Sequence, residues 1–402
     1  MSRVSVSRND CLFAGNRGRY FVGPLENMDD SVRLRERLTA IAAGGPSQRV
    51  GLFPDPRSRR WRFDPTAGAD WVTIIEHPAL DVTDPGRALT DFVVDPDNRT
   101  PMHLYLADPW LFIDFDHGLG GGKFITELIA AITSDATAFA DPQPLTDCRA
   151  PLLRALTHSA RTQPRKLIQS VDLNRGPNPP TCTGPFEETT DVVFVRSEPE
   201  FLRQVRALRD RDNPGASVLA VLTSAMLHAL NAVGIETDPA VGVMVDLGRY
   251  LPTGTGTLSN FVGVAPISVP PPFGARAIGD QIERYTTGYR SISRYGLATL
   301  VGLLRPTTQT FTQHCEDTRA RLVVTDHGET PAARKIRWAQ PESSRVYLRH
   351  APIGYSNQVT LATNRVGNQL HLSATFYATT FDRGSIDTAL RRVATGVDIG
   401  NC

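Results

Sequence analysis

Residues 110–133, which read WLFIDFDHGLGGGKFITELIAAIT, constrain the fold of this chain more than any other segment. The first part alternates between two faces, as a buried strand does, and the last part carries apolar side chains at helical spacing. Four of the five residues at 118–122 are glycine, which allows a tight turn and close packing of a helix on a strand. The segment therefore predicts a strand, a glycine turn and a buried helix, with His117 where the strand ends.

The same alternation of strand and helix patterns continues on both sides of a proline-rich segment. Five prolines lie between residues 162 and 186, where no periodic apolar face survives. We therefore predict an α/β (α+β) chain with an N-terminal lobe at 1–165 that carries His117, an extended linker at 166–186 and a C-terminal lobe at 187–402. Part of the C-terminal lobe could cross over to the N-terminal lobe.

Composition excludes several classes of protein. Hydrophobic residues are 41%, charged residues 21% and the net charge is +1, so the pattern favours neither a disordered chain nor a nucleic-acid surface. Five cysteines are scattered without the spacing of a metal site. The sequence has no signal-peptide pattern and no run of roughly 20 apolar residues. We expect a cytoplasmic protein without a metal site, and neither nucleic acid nor membrane as a partner.

His117 has two interpretations. A histidine at the end of a strand is commonly a hydrogen-bonded structural residue. An imidazole there could also be a general base, if it lies within hydrogen-bond reach of a nucleophile and its pKa is near the working pH. Nucleotide binding is not indicated, because the glycines do not match the GxGxxG spacing, and Phe124 stands where the Walker A pattern needs Ser or Thr.

A second segment favours the catalytic interpretation. Residues 243–269 read VMVDLGRYLPTGTGTLSNFVGVAPISV. Together with residues 116–122, and in this order, they resemble the condensation-domain superfamily, which includes condensation domains of nonribosomal peptide synthetases and acyltransferases of the chloramphenicol acetyltransferase type. His117 matches the catalytic histidine of the family motif HHxxxDG, and Gly122 matches its final glycine. Further matches to the family strand VDxRxxLP and the turn after it are Val245, Asp246, Leu251, Pro252, Asn260, Phe261 and Gly263.

The resemblance implies a fold and an activity. The fold would be two chloramphenicol acetyltransferase-like lobes, each a mixed sheet with helices, in a V-shaped pseudo-dimer with a central tunnel. The activity would be acyl transfer in natural product biosynthesis, such as nonribosomal peptide synthesis, with His117 taking a proton from a hydroxyl or amine of a small-molecule acceptor. The donor would be acyl-CoA or a phosphopantetheinyl carrier protein. No tightly bound cofactor is implied, and a monomer is expected.

The departures from the motif are specific. Asp116 replaces the first histidine, Gly121 replaces the motif aspartate, and Gly248 falls on the family arginine. In many family members this aspartate and arginine form an ion pair that braces the histidine loop. Losing both partners also removes the cost of burying them, so the double absence indicates that the site was rebuilt as a unit. Arg249, the next residue, could supply the missing charge.

Supporting roles are expected for several polar residues. Hydrogen-bond donors to the oxyanion could come from backbone amides of the glycine turn or from Ser259 and Asn260. The alternative for Ser259 and Asn260 is a simple turn without a catalytic role. Asp116 is expected to be structural, because successive strand residues point to opposite faces. Asn357, in the polar turn GYSNQ, is a further candidate to face the tunnel. Three other histidines are expected to be structural: His228 on a helix, His371 on a strand and His327 in a loop.

Three functions remain open from the sequence. The first is the acyltransferase with His117 as base. The second is a diverted enzyme on the same scaffold, which would catalyse a cyclisation, elimination or rearrangement. The third is a non-catalytic module that docks a carrier protein.

Overall fold

The computed structural model describes residues 2–26, 28, 30–74, 82–92, 100–133, 150–171, 177, 180–186, 188–303, 312–329 and 332–397. The helices are α1 Arg8–Phe13, α2 Ser31–Ala43, α3 Pro85–Asp91, α4 Gly122–Thr133, α5 Pro151–Thr162, α6 Pro164–Gln169, α7 Phe201–Asp212, α8 Val218–Ala232, α9 Ala275–Thr286, α10 Arg290–Leu303 and α11 Arg383–Ala394. The strands are β1 Ser2–Ser5, β2 Arg17–Gly23, β3 Leu52–Phe53, β4 Arg60–Phe63, β5 Val72–Ile74, β6 Met102–Ala107, β7 Trp110–Asp116, β8 Cys182–Pro185, β9 Thr190–Arg196, β10 Ala240–Asp246, β11 Val262–Ser268, β12 Gln313–Cys315, β13 Arg321–Asp326, β14 Val346–His350, β15 Gln358–Val366 and β16 Gln369–Tyr377.

The N-terminal lobe is built on a five-stranded sheet in the order β14-β2-β7-β6-β5. The predicted strand, turn and helix at 110–133 are confirmed as β7, a 3-10 turn that begins at His117, and α4. One face of α4 is buried in the lobe's core because its apolar residues recur at helical spacing. Fully buried members of that face are Phe124, Ile125, Leu128 and Ile129.

The C-terminal lobe is built on a six-stranded sheet in the order β11-β10-β13-β15-β16-β9. Its core contains the long apolar helix α8, which lies with α11 against the sheet. The two lobes meet where the second face of the five-stranded sheet packs on β9. That contact consists of Phe21, Leu89, Phe112, Val192, Phe194, Val346 and Leu348.

One strand crosses between the lobes along the sequence. β14 belongs to the C-terminal part of the chain, yet it pairs antiparallel with β2 at the edge of the N-terminal sheet. Residues 346–350 thus lie in the N-terminal lobe, and Arg349 lies opposite Tyr20. The crossover brings side chains of the C-terminal half next to the end of β7.

The predicted linker is wrong as an extended segment. Within 166–186 the described residues include the end of α6 and all of β8, which pairs antiparallel with β12. Pro164 begins α6, a position where proline's missing N–H costs nothing. Residues 172–176 and 178–179 of the predicted linker lie outside the described part of the chain. Among the described helices, none is long and apolar enough to span a bilayer.

Candidate active site at His117

His117 directly follows β7 and is 6% exposed. Its ring stacks on Phe13 with 4.8 Å between centroids, and Phe115 lies on the ring at 5.7 Å. The backbone N–H of His117 donates to the carbonyl of Asn16 at 2.7 Å. The ring atom Nδ1 is buried without a hydrogen-bond partner among the described residues. The imidazole is therefore held by ring packing and by its backbone, with the Asn260 side chain beside it.

Asp116 holds the turn rather than the imidazole. Its carboxylate accepts hydrogen bonds from the backbone N–H groups of Gly118 at 2.8 Å and Gly15 at 2.9 Å. Burial raises the pKa of Asp116 to about 6, although these two bonds act in the opposite direction. The structure thus places Asp116 in the structural position that strand alternation predicts.

The glycines of the turn permit close approaches. A β-carbon on Gly120 would lie 2.6 Å from the carbonyl oxygen of Leu258 and 2.7 Å from the β-carbon of Phe124. Both distances are shorter than real contacts, so the turn can pass between these residues only with glycine there. Gly121 is different, because its missing β-carbon would meet the Asn260 amide oxygen at an ordinary 3.5 Å. Space for a side chain therefore remains at Gly121.

A buried carboxylate, Asp10 on α1, organises the other side of the turn. Asp10 is fully buried and forms an ion pair with Arg49 at 3.2 Å. Its oxygens also accept from the hydroxyl of Ser259 at 3.0 Å and from the backbone N–H of Asn260 at 2.9 Å. Burial alone would raise the pKa of Asp10, but Arg49 and the hydrogen bonds from Asn260 and Ser7 outweigh it and hold the pKa below its usual value.

This ion pair reaches both ends of the histidine turn. Arg49 donates to the carbonyl of Leu119 at 2.9 Å. The amide of Asn260, which lies beside Asp10, donates to the carbonyl of His117 at 2.7 Å. Asp10 and Arg49 thus form a buried ion pair that braces the histidine loop, the task that the resemblance assigns to the motif aspartate and arginine. The sequence analysis did not find either residue.

Ser259 and Asn260 lie at the site, and their described bonds are structural. The Ser259 hydroxyl is engaged by Asp10 and lies 3.1 Å from that of Ser7. The Asn260 Nδ2 group donates to Asp10 and His117, and its Oδ1 is buried without a partner among the described residues. Oxyanion stabilisation by these two side chains stays a prediction.

Two further groups face the histidine turn at Gly122. A β-carbon on Gly122 would collide with the ring of His327, whose Nδ1 would lie 2.8 Å away, and would lie 3.3 Å from Nη1 of Arg349. His327 follows β13 of the C-terminal lobe, and Arg349 is on β14. Gly122 is therefore the point where a histidine, an arginine and the His117 turn converge.

The electrostatics agree with this arrangement. Burial lowers the pKa of His117 to about 4, and the positive charge of Arg349 acts in the same direction, while Asn260 and Asp10 oppose it. Burial, followed by Arg349 and His117, also lowers the pKa of His327 well below its usual value. Both imidazoles are therefore neutral near pH 7 and have a lone pair available to accept a proton, but a pKa of about 4 makes His117 a weaker base than the expected value near the working pH.

His327 was predicted to be a loop residue, which is correct for its backbone but misses its position. Asp326-His327-Gly328 ends β13 as Asp116-His117-Gly118 ends β7, and the Gly328 N–H donates to Asp326 at 3.0 Å as the Gly118 N–H does to Asp116. The repeated letters DHG were the signal in the sequence. Arg349 had no such signal, because a single arginine in a strand pattern shows nothing of the sheet it joins.

Two sequence expectations for charge and polarity are wrong. Arg249, proposed to replace the missing family charge, is exposed on a turn after β10, whereas Arg349 is the cation that acts on His117. Asn357 precedes β15, where Gln358 pairs with Arg321, while His327 follows the pair of Asp326 with Thr363. Because each strand residue advances about 3.3 Å, Asn357 lies about 20 Å along the strand from Thr363, at the histidine end of the sheet.

The other two histidines lie where the sequence predicts structural roles. His228 on α8 meets the ring of Phe273 edge-on at 5.3 Å. His371 on β16 accepts from the backbone N–H of Tyr347 at 3.1 Å. Within the described part of the chain, no group of three or more His, Cys, Asp or Glu side chains could hold a metal ion.

Comparisons with known proteins support the fold. No protein-family model and no curated protein matches the sequence. Among solved structures, the chain is similar to the first condensation domain of the calcium-dependent antibiotic synthetase, bound to a substrate analogue, with a TM-score of 0.61, 14% identity and coverage of 100% of this chain and 97% of that one. It is also similar to the trichothecene 15-O-acetyltransferase TRI3 from Fusarium sporotrichioides, with a TM-score of 0.60, 9% identity and coverage of 99% and 95%.

Larger proteins contain the same unit. The chain matches the nonribosomal peptide synthetase FmoA3 with a TM-score of 0.59 and 16% identity, over 97% of this chain and 42% of that one. This chain therefore spans about two fifths of that synthetase. The chain has the chloramphenicol acetyltransferase-like fold of condensation domains, and the superfamily resemblance seen in the sequence is confirmed at the level of the fold.

Proposed function

We propose that this protein is a condensation-domain-like acyltransferase that forms an ester or amide from an acyl thioester. The observation that carries the proposal is a neutral, buried His117 on a doubly braced turn, in a fold that condensation domains and an acetyltransferase share. The donor would be acyl-CoA or an acylated carrier protein, and the acceptor a small-molecule hydroxyl or amine. A carrier protein would then be a partner.

In the proposed mechanism, His117 accepts the proton of the acceptor nucleophile as that nucleophile attacks the thioester carbonyl. Loss of the thiolate then completes the transfer, and the imidazolium returns its proton to the leaving sulfur. The Asn260 side chain, whose amide oxygen lies buried beside the turn, raises the pKa of His117 by hydrogen bonding, so it would favour a proton on Nδ1 and leave Nε2 as the base. Phe13 and Phe115 pack against the His117 ring and would exclude water from it, which would strengthen the interaction between the imidazolium and the charge that develops on the attacked carbonyl.

The test is transfer activity with a panel of acyl-CoA and acyl-carrier-protein donors and small alcohol or amine acceptors. His117→Ala should lower kcat by about 10²–10⁴-fold, the usual contribution of a general base. His314→Ala, which changes an exposed histidine on β12, is the matched control and should retain full activity. Full activity of His117→Ala, or no transfer from any donor, would refute the proposal.

A diverted enzyme on the same scaffold is the second candidate, and one observation favours it. His327 provides a second neutral imidazole beside His117, so one ring could remove a proton while the other returns it to a different atom of one substrate. Such a reaction would need no thioester donor. Conversion of a purified intermediate without any donor, lost in both His117→Ala and His327→Ala, would support it, and strict dependence on a donor would exclude it.

A further inference from the structure

Arg349 is a buried cation with no anionic partner in the described part of the chain. The residue is 8% exposed, and its Nη1 is buried with no hydrogen-bond partner among the described residues. No described carboxylate forms an ion pair with it. Its guanidinium lies over the ring of Tyr20, with a long distance of 5.9 Å from the guanidinium carbon to the ring centroid. Burying an unpaired guanidinium is costly, so a protein that retains one normally binds an anion with it.

The guanidinium points at the reacting end of the site. Its Nη1 and Nδ1 of His327 face the same place, where a β-carbon on Gly122 would lie. His117 and His327 both sense its charge. Because Gly122 has no side chain, the His327 ring and the Arg349 guanidinium can approach the histidine turn this closely.

The nearby carboxylates are already engaged. Asp10, which acts on His117, is held by Arg49 at 3.2 Å. Asp114, the buried acid of β7, is paired with Arg17 and lies 3.5 Å from Arg19. Asp116 accepts the two backbone N–H groups of its own turn. None of these three described carboxylates is free to neutralise Arg349, which favours an anion supplied by a bound molecule.

We propose that Arg349 binds a carboxylate on the small molecule that reacts at His117. The planar guanidinium can hold a carboxylate through two parallel hydrogen bonds, with His327 as a further neighbour. This inference rests on the proposed function, because it names the substrate class of the same site. The anion would also have a second effect. A carboxylate beside Arg349 would offset the positive charge that adds to burial in disfavouring the protonated imidazoles, and would make His117 a stronger base when substrate is bound.

A carboxylate fits better than a phosphate. In acyl-CoA or an acylated carrier protein, the pantetheine arm separates the phosphates from the thioester carbonyl, so a phosphate would not lie beside the histidine that acts on that carbonyl. A carboxylate can lie a few bonds from the reacting hydroxyl, amine or carbon. The proposed substrate is therefore a hydroxy acid, an amino acid or a similar small acid.

Binding can be measured without any turnover. The full chain, with isotope-labelled histidine, is titrated with acetate, propionate and benzoate, with the matching carboxamides, and with inorganic phosphate. The side-chain NMR signals of His117 and His327, assigned through His117→Gln and His327→Gln, report binding. We expect the carboxylates to shift both signals and the carboxamides to shift neither, and we expect Arg349→Met to weaken carboxylate binding at least tenfold. Arg249→Met, which changes an exposed arginine, should bind as the unaltered chain does.

The outcomes separate this inference from the proposed function. Equal binding of carboxylates and carboxamides, unchanged binding by Arg349→Met, or tighter binding of phosphate than of carboxylates would each overturn the assignment. Arg349→Met should melt no lower than the unaltered chain, because it removes an unpaired buried charge; if it fails to fold, Arg349→Lys, which keeps the charge but loses the paired donors, should still weaken binding. Carboxylate binding without acyl transfer would refute the proposed function and support the carboxylate site. Acyl transfer without carboxylate binding would support the proposed function and refute the carboxylate site.

Discussion

The Asp10–Arg49 pair makes a quantitative prediction about the brace of the histidine turn. Asp10 is fully buried, and the Arg49 side chain is 6% exposed. Replacing Asp10 with Asn keeps the shape and several hydrogen bonds but leaves the guanidinium without its counter-charge. Breaking a buried pair by removing one partner costs about 3–5 kcal/mol, which is a large fraction of the roughly 5–15 kcal/mol that stabilises a typical protein.

The double variant provides the control. Arg49→Met alone should cost about as much as Asp10→Asn, because it strands the carboxylate instead. The double variant Asp10→Asn with Arg49→Met should cost less than the sum of the two single losses, with a coupling free energy of about 0.5–3 kcal/mol between these contacting residues. Ser259→Ala, which removes one hydrogen bond to Asp10, should cost about 1 kcal/mol.

The assay is urea unfolding followed by far-UV circular dichroism and by tryptophan fluorescence. Trp61 and Trp71 are buried in the N-terminal lobe, so fluorescence follows the lobe that contains the pair. A loss below about 1 kcal/mol for Asp10→Asn, or additive losses in the double variant, would refute the argument that the pair is a buried, coupled brace.

Two further predictions concern the same turn. Gly122→Ala should displace His327 and strongly lower activity or carboxylate binding, whereas Gly274→Ala, at a glycine with open space around it, should have no effect. Crystal structures or binding assays of the two variants check this prediction. Unchanged binding by Gly122→Ala would show that the site lies elsewhere. The second prediction concerns Asp116 and pH. Burial raises the pKa of Asp116 in the folded protein to about 6 from 3.8. Its favourable contribution to the free energy of unfolding is therefore complete below pH 4 and is lost as the pH rises through 6. Relative to Asp116→Asn, the unaltered chain should therefore lose roughly 2–3 kcal/mol of unfolding free energy between pH 4 and pH 7, and parallel pH profiles of the two proteins would contradict the assignment.

Local patterns were predictable because local physics determines them. The alternation in β7 and the helical spacing of Phe124, Ile125 and Leu128 predict a strand and a buried helix from neighbouring residues alone. The glycines between them predict the turn. Together with the second motif segment, this pattern was enough to indicate the superfamily.

The proline-rich segment shows where a local pattern misleads. Proline is compatible with the first turn of a helix and with a strand at a sheet edge. Pro164 begins α6, and Pro185 ends β8 in a two-stranded sheet. High proline content therefore excluded a long helix there, but did not exclude short elements held by tertiary contacts.

The site itself depends on pairings between distant residues, which periodicity does not encode. Asp10 and Asn260 meet across 250 positions of sequence. Arg349 reaches the site because β14 pairs with β2, and β14 is a five-residue strand with no alternating polar face, since all five residues are buried. Of the residues that surround His117, the sequence could name only those next to it in the motif and in the turn at Ser259-Asn260.

The changes in the motif acquire a physical meaning when these pairings are considered together. In the family pattern, one ion pair both braces the histidine loop and keeps an arginine neutralised. In this chain, the ion pair of Asp10 and Arg49 braces the loop and carries no net charge. A second arginine, Arg349, lies near His117 without a counter-charge among the described residues. A charge placed in this way adds nothing to the brace and opposes protonation of both imidazoles. Its retention is explained by the proposed anion that enters with the substrate, and the glycine at position 122 lets His327 and Arg349 approach the histidine turn closely.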